Sequence, residues 1–139
     1  MSARRLAGQA ARGLCVVLAG LVLLQFYAAG IAVFGAGGFG PHRVVGWLII
    51  VVALLNLVLT LAARGPRGAR TAALAILVLS VLQPMLAFAP RARFPELSAV
   101  HVVNALVIAL LVHANVRQWR EHHRAMWRGS LAGATAPNG

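Results

Sequence analysis

His42 and His101 are the residues whose type and spacing could do chemistry, because each lies at the start of a long apolar segment. An ionisable side chain at membrane depth is costly and usually marks a functional site. Two imidazoles that face each other from parallel helices are the usual axial ligands of a b-type haem in a helical bundle. The pattern predicts one haem b between His42 and His101, used for electron transfer or haem handling.

Five polar residues are predicted to support this haem. Asn104 follows the second histidine by three residues, so the two share a helix face. Gln83 could bond an imidazole Nδ1 and orient the ring. Arg43, Arg91 and Arg93 lie on the same side of the membrane and could pair with the haem propionates.

The two histidines do not stand at the same depth in this interpretation. His42 just precedes the second apolar segment, whereas His101 lies about one turn inside the fourth. At 1.5 Å per residue the mismatch is roughly 5–9 Å, which helix tilt could absorb in part. The alternative is that both side chains are interfacial, and that the polar residues only hold helices together through hydrogen bonds.

Four apolar segments would position these residues. The chain has 139 residues, of which 60% are hydrophobic and 11% charged, whereas soluble domains have about a quarter charged. Each segment has about 20 residues, enough for a helix that crosses the hydrocarbon core, and the short loops make neighbouring helices antiparallel. The predicted fold is all-α: an up-down-up-down four-helix transmembrane bundle with spans at about 14–35, 44–63, 71–89 and 97–116.

Charge is distributed unevenly about these segments. The net charge of +11 comes from 13 arginines and only two acids, Glu96 and Glu121. Ten arginines lie before the first segment, between the second and third, or after the fourth; three lie on the other side. The positive-inside rule therefore places both termini in the cytoplasm of a plasma-membrane protein. Topology and attraction to anionic lipids on the cytoplasmic side explain this charge, so nucleic acid is not an expected partner.

The two ends of the chain are predicted to lie outside the membrane. Residues 1–13 form a basic cytoplasmic N-terminus. Residues 117–128 continue the fourth helix as an interfacial basic helix, and residues 129–139 form a disordered tail. The face that anchors the interfacial helix contains Trp119, His123, Met126 and Trp127.

The two halves of the chain resemble each other. Each half reads arginine, span, glutamine, loop, histidine, span, with offsets of 58 or 59 residues between corresponding positions. This order favours two repeated helical hairpins related by an axis along the membrane normal. The corresponding pairs are Arg12 with Arg70, Gln25 with Gln83, and His42 with His101.

Other kinds of active site are not indicated. The chain has no carboxylate pair, no phosphate-binding loop and no cluster of side chains with the spacing of metal ligands, so no metal other than a haem iron is expected. Cys15 is its single cysteine. An enzyme is therefore not expected. The competing interpretation is a cofactor-free membrane scaffold or an accessory subunit, which packs against a larger membrane protein complex or forms a homo-oligomer.

Three segments carry a resemblance to known families: Leu24–Gly30, Phe39–Trp47 and Ala99–Leu106. They resemble an uncharacterised family of small four-helix membrane proteins common in high-GC actinobacteria, which implies architecture and no activity. At a coarser level the plan is similar to haem A synthase and cytochrome b-type four-helix bundles, which repeat a two-helix unit with histidines at helix ends. That resemblance implies His42 and His101 as haem ligands.

Overall fold

The fold is an all-α bundle of four helices, as predicted. The computed structural model describes residues 2–88 and 95–134. Over these residues the chain forms α1 (Ala3–Val33), α2 (Gly40–Ala62), α3 (Arg67–Phe88) and α4 (Pro95–Ala134), and no strand. Each helix is long and apolar enough to cross a membrane, which indicates a multi-pass membrane protein.

The helices pack in a closed ring, with α1 against α2, α2 against α3, α3 against α4, and α4 against α1. Because sequential helices are antiparallel, α2 and α4 are diagonal and parallel, so their first turns lie at the same end of the bundle. We call this end, which contains the α1–α2 turn and both predicted haem ligands, the histidine end. The opposite end, with the N-terminus and the α2–α3 turn, is the arginine end.

The outer surface of the bundle is strongly apolar. In the most apolar part of each helix no more than 28% of residues are buried inside the bundle. Side chains such as Leu23 and Leu110 are 71% and 70% exposed. Exposed apolar surface of this extent needs lipid or protein around it.

The first turn of α2 begins earlier than the sequence predicted. Gly40 opens the helix, Pro41 stands at a first-turn position that tolerates proline, and the Arg43 N–H donates to the Phe39 carbonyl oxygen at 3.0 Å. His42 therefore lies inside the helix, not before it. The helix therefore extends before the span predicted at about 44–63, because Pro41, interpreted as part of a turn, also suits the first turn of a helix.

The two ends of the chain are more helical than predicted. The basic N-terminus is part of α1 from Ala3 onward. The tail predicted to be disordered is helical from 129 as far as Ala134, because extending a formed helix adds one hydrogen bond for each residue ordered. Residues 135–139 of that prediction lie outside the described residues.

Two clusters of buried side chains make the core. The larger one fills the middle of the bundle with aliphatic residues of all four helices, among them Leu18, Ile49, Ile76 and Ile108. The smaller cluster lies at the arginine end. Its members are Ala11, Cys15, Ala69 and Trp119.

Trp119 belongs to this core and does not anchor an interfacial face. It is 5% exposed, which contradicts its predicted place beside His123, whose side chain is exposed. The indole packs near two glycines. A Cβ added to Gly8 would lie 3.9 Å from the indole, which is an ordinary contact, whereas a Cβ added to Gly65 would lie only 3.0 Å from it. Met126 and Trp127, the other predicted members of that face, have side chains outside the described set.

We expect Gly65→Ala to destabilise the bundle at this contact. The added Cβ would lie 3.0 Å from Trp119 ring atoms and from Thr60 Cγ2, and overpacking of this kind costs about 1–3 kcal/mol. Thermal unfolding in detergent, followed by circular dichroism, measures the loss. Gly20→Ala is the matched control, because nothing lies within 4 Å of its added Cβ. Equal midpoints for the two variants would contradict the packing described here.

Candidate functional site

The rings of His42 and His101 meet at the centre of the histidine end. Their centroids are 6.2 Å apart with an interplanar angle of 62°, and both residues are half-buried. His42 is the third residue of α2 and His101 the seventh of α4, so they differ by about one turn from their helix starts, yet their rings are in contact. The structure therefore brings together the two residues predicted to be ligands.

His42 is held by one residue of α1. Its Nδ1 lies 3.2 Å from the backbone carbonyl oxygen of Gln25. Its Nε2 lies 3.3 Å from the side-chain Nε2 of the same glutamine. A carbonyl oxygen only accepts, so the proton is on Nδ1, and the Nε2 electron pair accepts from the Gln25 amide.

His101 is held in the same way by α3. Its Nδ1 lies 3.1 Å from the backbone carbonyl oxygen of Gln83, so this imidazole also donates from Nδ1 and keeps an electron pair on Nε2. The Gln83 side chain, which we predicted to orient an imidazole, instead accepts from Asn104 Nδ2 at 2.8 Å. The orienting group is thus the main-chain oxygen of Gln83, not its amide.

Asn104 makes the two halves of the site unequal. Its Nδ2 donates both to Gln83 Oε1 and, at 3.0 Å, to the Leu79 carbonyl oxygen, which holds the Gln83 amide away from His101. The corresponding position in α2 is Val45, which has no amide. Gln25 therefore turns to His42, and its Oε1 is buried without a partner among the described residues.

Gly46 provides the space for that glutamine. A Cβ at Gly46 would lie 3.3 Å from Gln25 Nε2, so the glycine lets the amide pack against the α2 backbone beside His42.

The two imidazoles differ in whether their Nε2 atoms are free to bind a metal. His101 Nε2 has no hydrogen-bond partner among the described residues, whereas His42 Nε2 is engaged by an amide that would have to move before a metal could bind.

Arg43, the one predicted arginine among the described residues, makes no hydrogen bond to either imidazole. Arg43 is exposed beside His42 in the first turn of α2, where its guanidinium could reach an anionic group at the mouth of the site. Arg91 and Arg93 lie outside the described residues. Phe39, which sequence analysis did not select, contacts His42 edge-on with centroids 6.0 Å apart.

A second polar layer crosses the bundle towards the arginine end. Asn56 is fully buried; its Nδ2 donates to the Ala11 carbonyl oxygen at 2.8 Å and contacts Cys15 Sγ at 3.2 Å. Asn115 Nδ2 donates to Asn56 Oδ1 at 3.2 Å.

The internal repeat was the signal for this layer. The two asparagines are 59 residues apart, like the two histidines. Each follows the histidine of its own helix by 14 residues, which is almost four turns and so returns to the same helix face about 21 Å further on. His113, two residues before Asn115, is exposed, and the two asparagines bond each other.

The comparisons with known proteins give one partial match to a family model and indicate no activity. A family of unknown function (DUF6220) matches residues 25–90, the stretch from Gln25 to just beyond α3. This agrees with the predicted likeness to an uncharacterised family. No curated protein and no solved structure matches the chain; the actinobacterial source and the likeness to haem A synthase and cytochrome b stay predictions.

Proposed function

We propose that this protein binds one b-type haem between His42 and His101 and serves electron transfer or haem handling in a membrane. The observation that carries the proposal is the pair of Nδ1 contacts to the Gln25 and Gln83 carbonyl oxygens. Metal-binding histidines usually donate their other N–H to such a group, which fixes the tautomer and makes the ligand more basic. Both imidazoles already have this arrangement.

The number of donors favours haem over a bare metal ion. Across the described residues no group of three or more His, Cys, Asp or Glu side chains lies close enough to hold a metal. A structural zinc ion needs about four protein ligands. A haem iron has four porphyrin nitrogens already and needs only axial ligands from the protein, which two histidines supply.

The ring separation fits two axial ligands. Taking about 2.0 Å for a metal–imidazole nitrogen bond and roughly 1 Å from nitrogen to ring centre, two imidazoles on one iron have centres about 6 Å apart. The observed separation is 6.2 Å. This agreement in ring separation supports the proposal.

The other residues of the site have distinct roles in the proposal. When bound, haem supplies a one-electron carrier in an apolar setting. Asn104 keeps the Gln83 amide off His101, so that ligand is always available, whereas Gln25 has to release His42 Nε2. Arg43, with Arg91 and Arg93, would neutralise the propionates at the histidine end. The arginines at the other end support a cytoplasmic location for both termini.

One observation favours the competing function, a cofactor-free scaffold or accessory subunit. The two rings contact each other, and the Gln25 amide engages His42, so both nitrogens of His42 have a partner without a ligand. Such a layer could simply fix the register of the helices. The wide apolar surface would then receive a membrane protein partner or a second copy.

Titration of the detergent-purified protein with haemin distinguishes the two functions. We expect one haem to bind per chain, with a low-spin spectrum. His113→Ala is the matched control, because that histidine is exposed and distant from the ring pair, and it should bind haemin like the wild type. Linear, non-saturating uptake that is the same in wild type and in His42→Ala/His101→Ala would reject the haem site.

We expect Gln25→Ala to bind haemin more tightly than the wild type. The change keeps the backbone carbonyl but removes the amide that engages His42 Nε2. A hydrogen bond of about 0.5–1.5 kcal/mol corresponds to roughly a 2- to 12-fold gain in affinity. Gln83→Ala is the control in the other half, where the amide bonds Asn104 and not the ring. Weaker binding in both variants would mean that Gln25 does not compete for His42.

A further inference from the structure

A groove opens between α1 and α4 at the arginine end. These two helices are the least closely packed neighbours of the ring, and the groove between them has a volume of about 370 Å³, within the range of small-ligand pockets. We call it the α1–α4 groove. Its lining includes Gln9, Arg12, Val16, Val116, Trp119 and Arg120.

Polarity changes along this groove. Arg12 precedes the apolar part of α1, and Arg120 follows the apolar part of α4. Val16 and Val116 each lie about one turn further into the apolar region. The groove therefore has a cationic mouth and apolar walls, which is the order in which a phospholipid presents its headgroup and acyl chains.

The two arginines of the groove have no acidic partner among the described residues. An arginine side chain stays charged, and Arg12 is half-buried. Of the two acids in the chain, Glu121 pairs with Arg117 at 3.3 Å, and Glu96 stands in the first turn of α4 at the opposite end. No acid among the described residues therefore neutralises the guanidinium groups of the groove, and both remain available to an anion from outside the chain.

Trp119 contributes one wall of the groove. Its indole N–H is enclosed and donates to no acceptor among the described residues, so it is not the group that an occupant would meet. The charged donors that line the groove are the guanidinium groups of Arg12 and Arg120. Guanidinium groups bind the paired oxygens of a phosphate, which favours an occupant with several acceptor oxygens.

We propose that the α1–α4 groove binds one anionic phospholipid, with its phosphate between Arg12 and Arg120 and its first methylene groups against Val16 and Val116. Basic pockets between membrane helices take anionic headgroups in this way. Phosphatidylcholine carries a positive choline group beside its phosphate, so its attraction to the two arginines is weaker. The lipid binds whether or not haem does, because the groove is at the other end of the bundle.

Quenching of Trp119 fluorescence tests this site in the full-length protein. Trp47→Phe and Trp127→Phe leave Trp119 as the reporter, and the probes are phosphatidylglycerol and phosphatidylcholine brominated near the headgroup end of the acyl chains. In mixed vesicles we expect brominated phosphatidylglycerol to quench at a mole fraction on the order of 10-fold lower. Equal quenching by the two lipids would overturn the proposal.

Two variants of equal charge separate the groove from general surface attraction. Arg12→Gln/Arg120→Gln should abolish the preference for phosphatidylglycerol, whereas Arg4→Gln/Arg5→Gln should retain it. A preference lost equally in both would show non-specific attraction and overturn the site. Inorganic phosphate added to the parent protein should not relieve quenching; if it does, the groove takes free phosphate. Should the Arg12 variant fail to fold, Arg120→Gln alone, at an exposed position, is compared with Arg4→Gln alone; an equal loss of preference in these two would overturn the site.

Discussion

His101→Ala is expected to abolish low-spin haem binding, and His42→Ala is expected to do the same. Each change removes one of two axial ligands, and replacing even the groups that orient a metal ligand costs about 10- to 100-fold in affinity. We therefore expect the affinity for haemin to fall by more than about 100-fold in either variant. Absorbance titration of the purified variants, with their helical content checked by circular dichroism, measures the change.

His42→Ala and His101→Ala should differ in how much haem they still bind and in its spin state. His101 Nε2 is free among the described residues, whereas His42 Nε2 is engaged by Gln25. Residual haem in His42→Ala should therefore be held by His101 alone and be high-spin, while His101→Ala should retain less. His113→Ala should match the wild type. A low-spin spectrum that survives in either ligand variant would reject that histidine as a ligand.

Asn56→Ala should give a large loss of stability that does not depend on haem. The Asn56 side chain is fully buried and makes three contacts, to Ala11, Cys15 and Asn115. At about 0.6 kcal/mol for each interhelical bond in a membrane, the three together are worth roughly 2 kcal/mol. Denaturant or thermal unfolding in detergent measures this loss.

Two further variants provide a scale for the loss of stability in Asn56→Ala. Asn115→Ala removes one described hydrogen bond and should cost less. Leu54→Ala, at a position that is 49% exposed on the outside of the bundle, should cost least. If Asn56→Ala were no less stable than Leu54→Ala, the asparagine layer would not hold the helices together.

The helices and the ring pair followed from the sequence because their causes are local or periodic. Long apolar segments require helices in lipid, and short loops require antiparallel neighbours. The 59-residue offset between His42 and His101 then places both at one end of the bundle. The same offset between Asn56 and Asn115 was present in the sequence, and it would have predicted the second polar layer.

The details that the sequence did not predict depend on contacts between helices. Trp119 packs closely against Gly65, which lies after α2, where an added Cβ would lie 3.0 Å from its ring atoms. The Gln83 side chain accepts from Asn104, while the Gln83 backbone oxygen accepts from His101 Nδ1. Such choices depend on distances of a few tenths of an ångström, which residue type and spacing do not determine.

The optical spectrum of the wild-type protein, purified after expression with sufficient haem, tests the role of the histidine pair most directly. The haem site predicts a Soret band in the oxidised protein and a sharp α band after reduction with dithionite, with one haem per chain. A folded, colourless protein that also takes up no added haemin would contradict it. The two imidazoles would then form only a polar layer between helices.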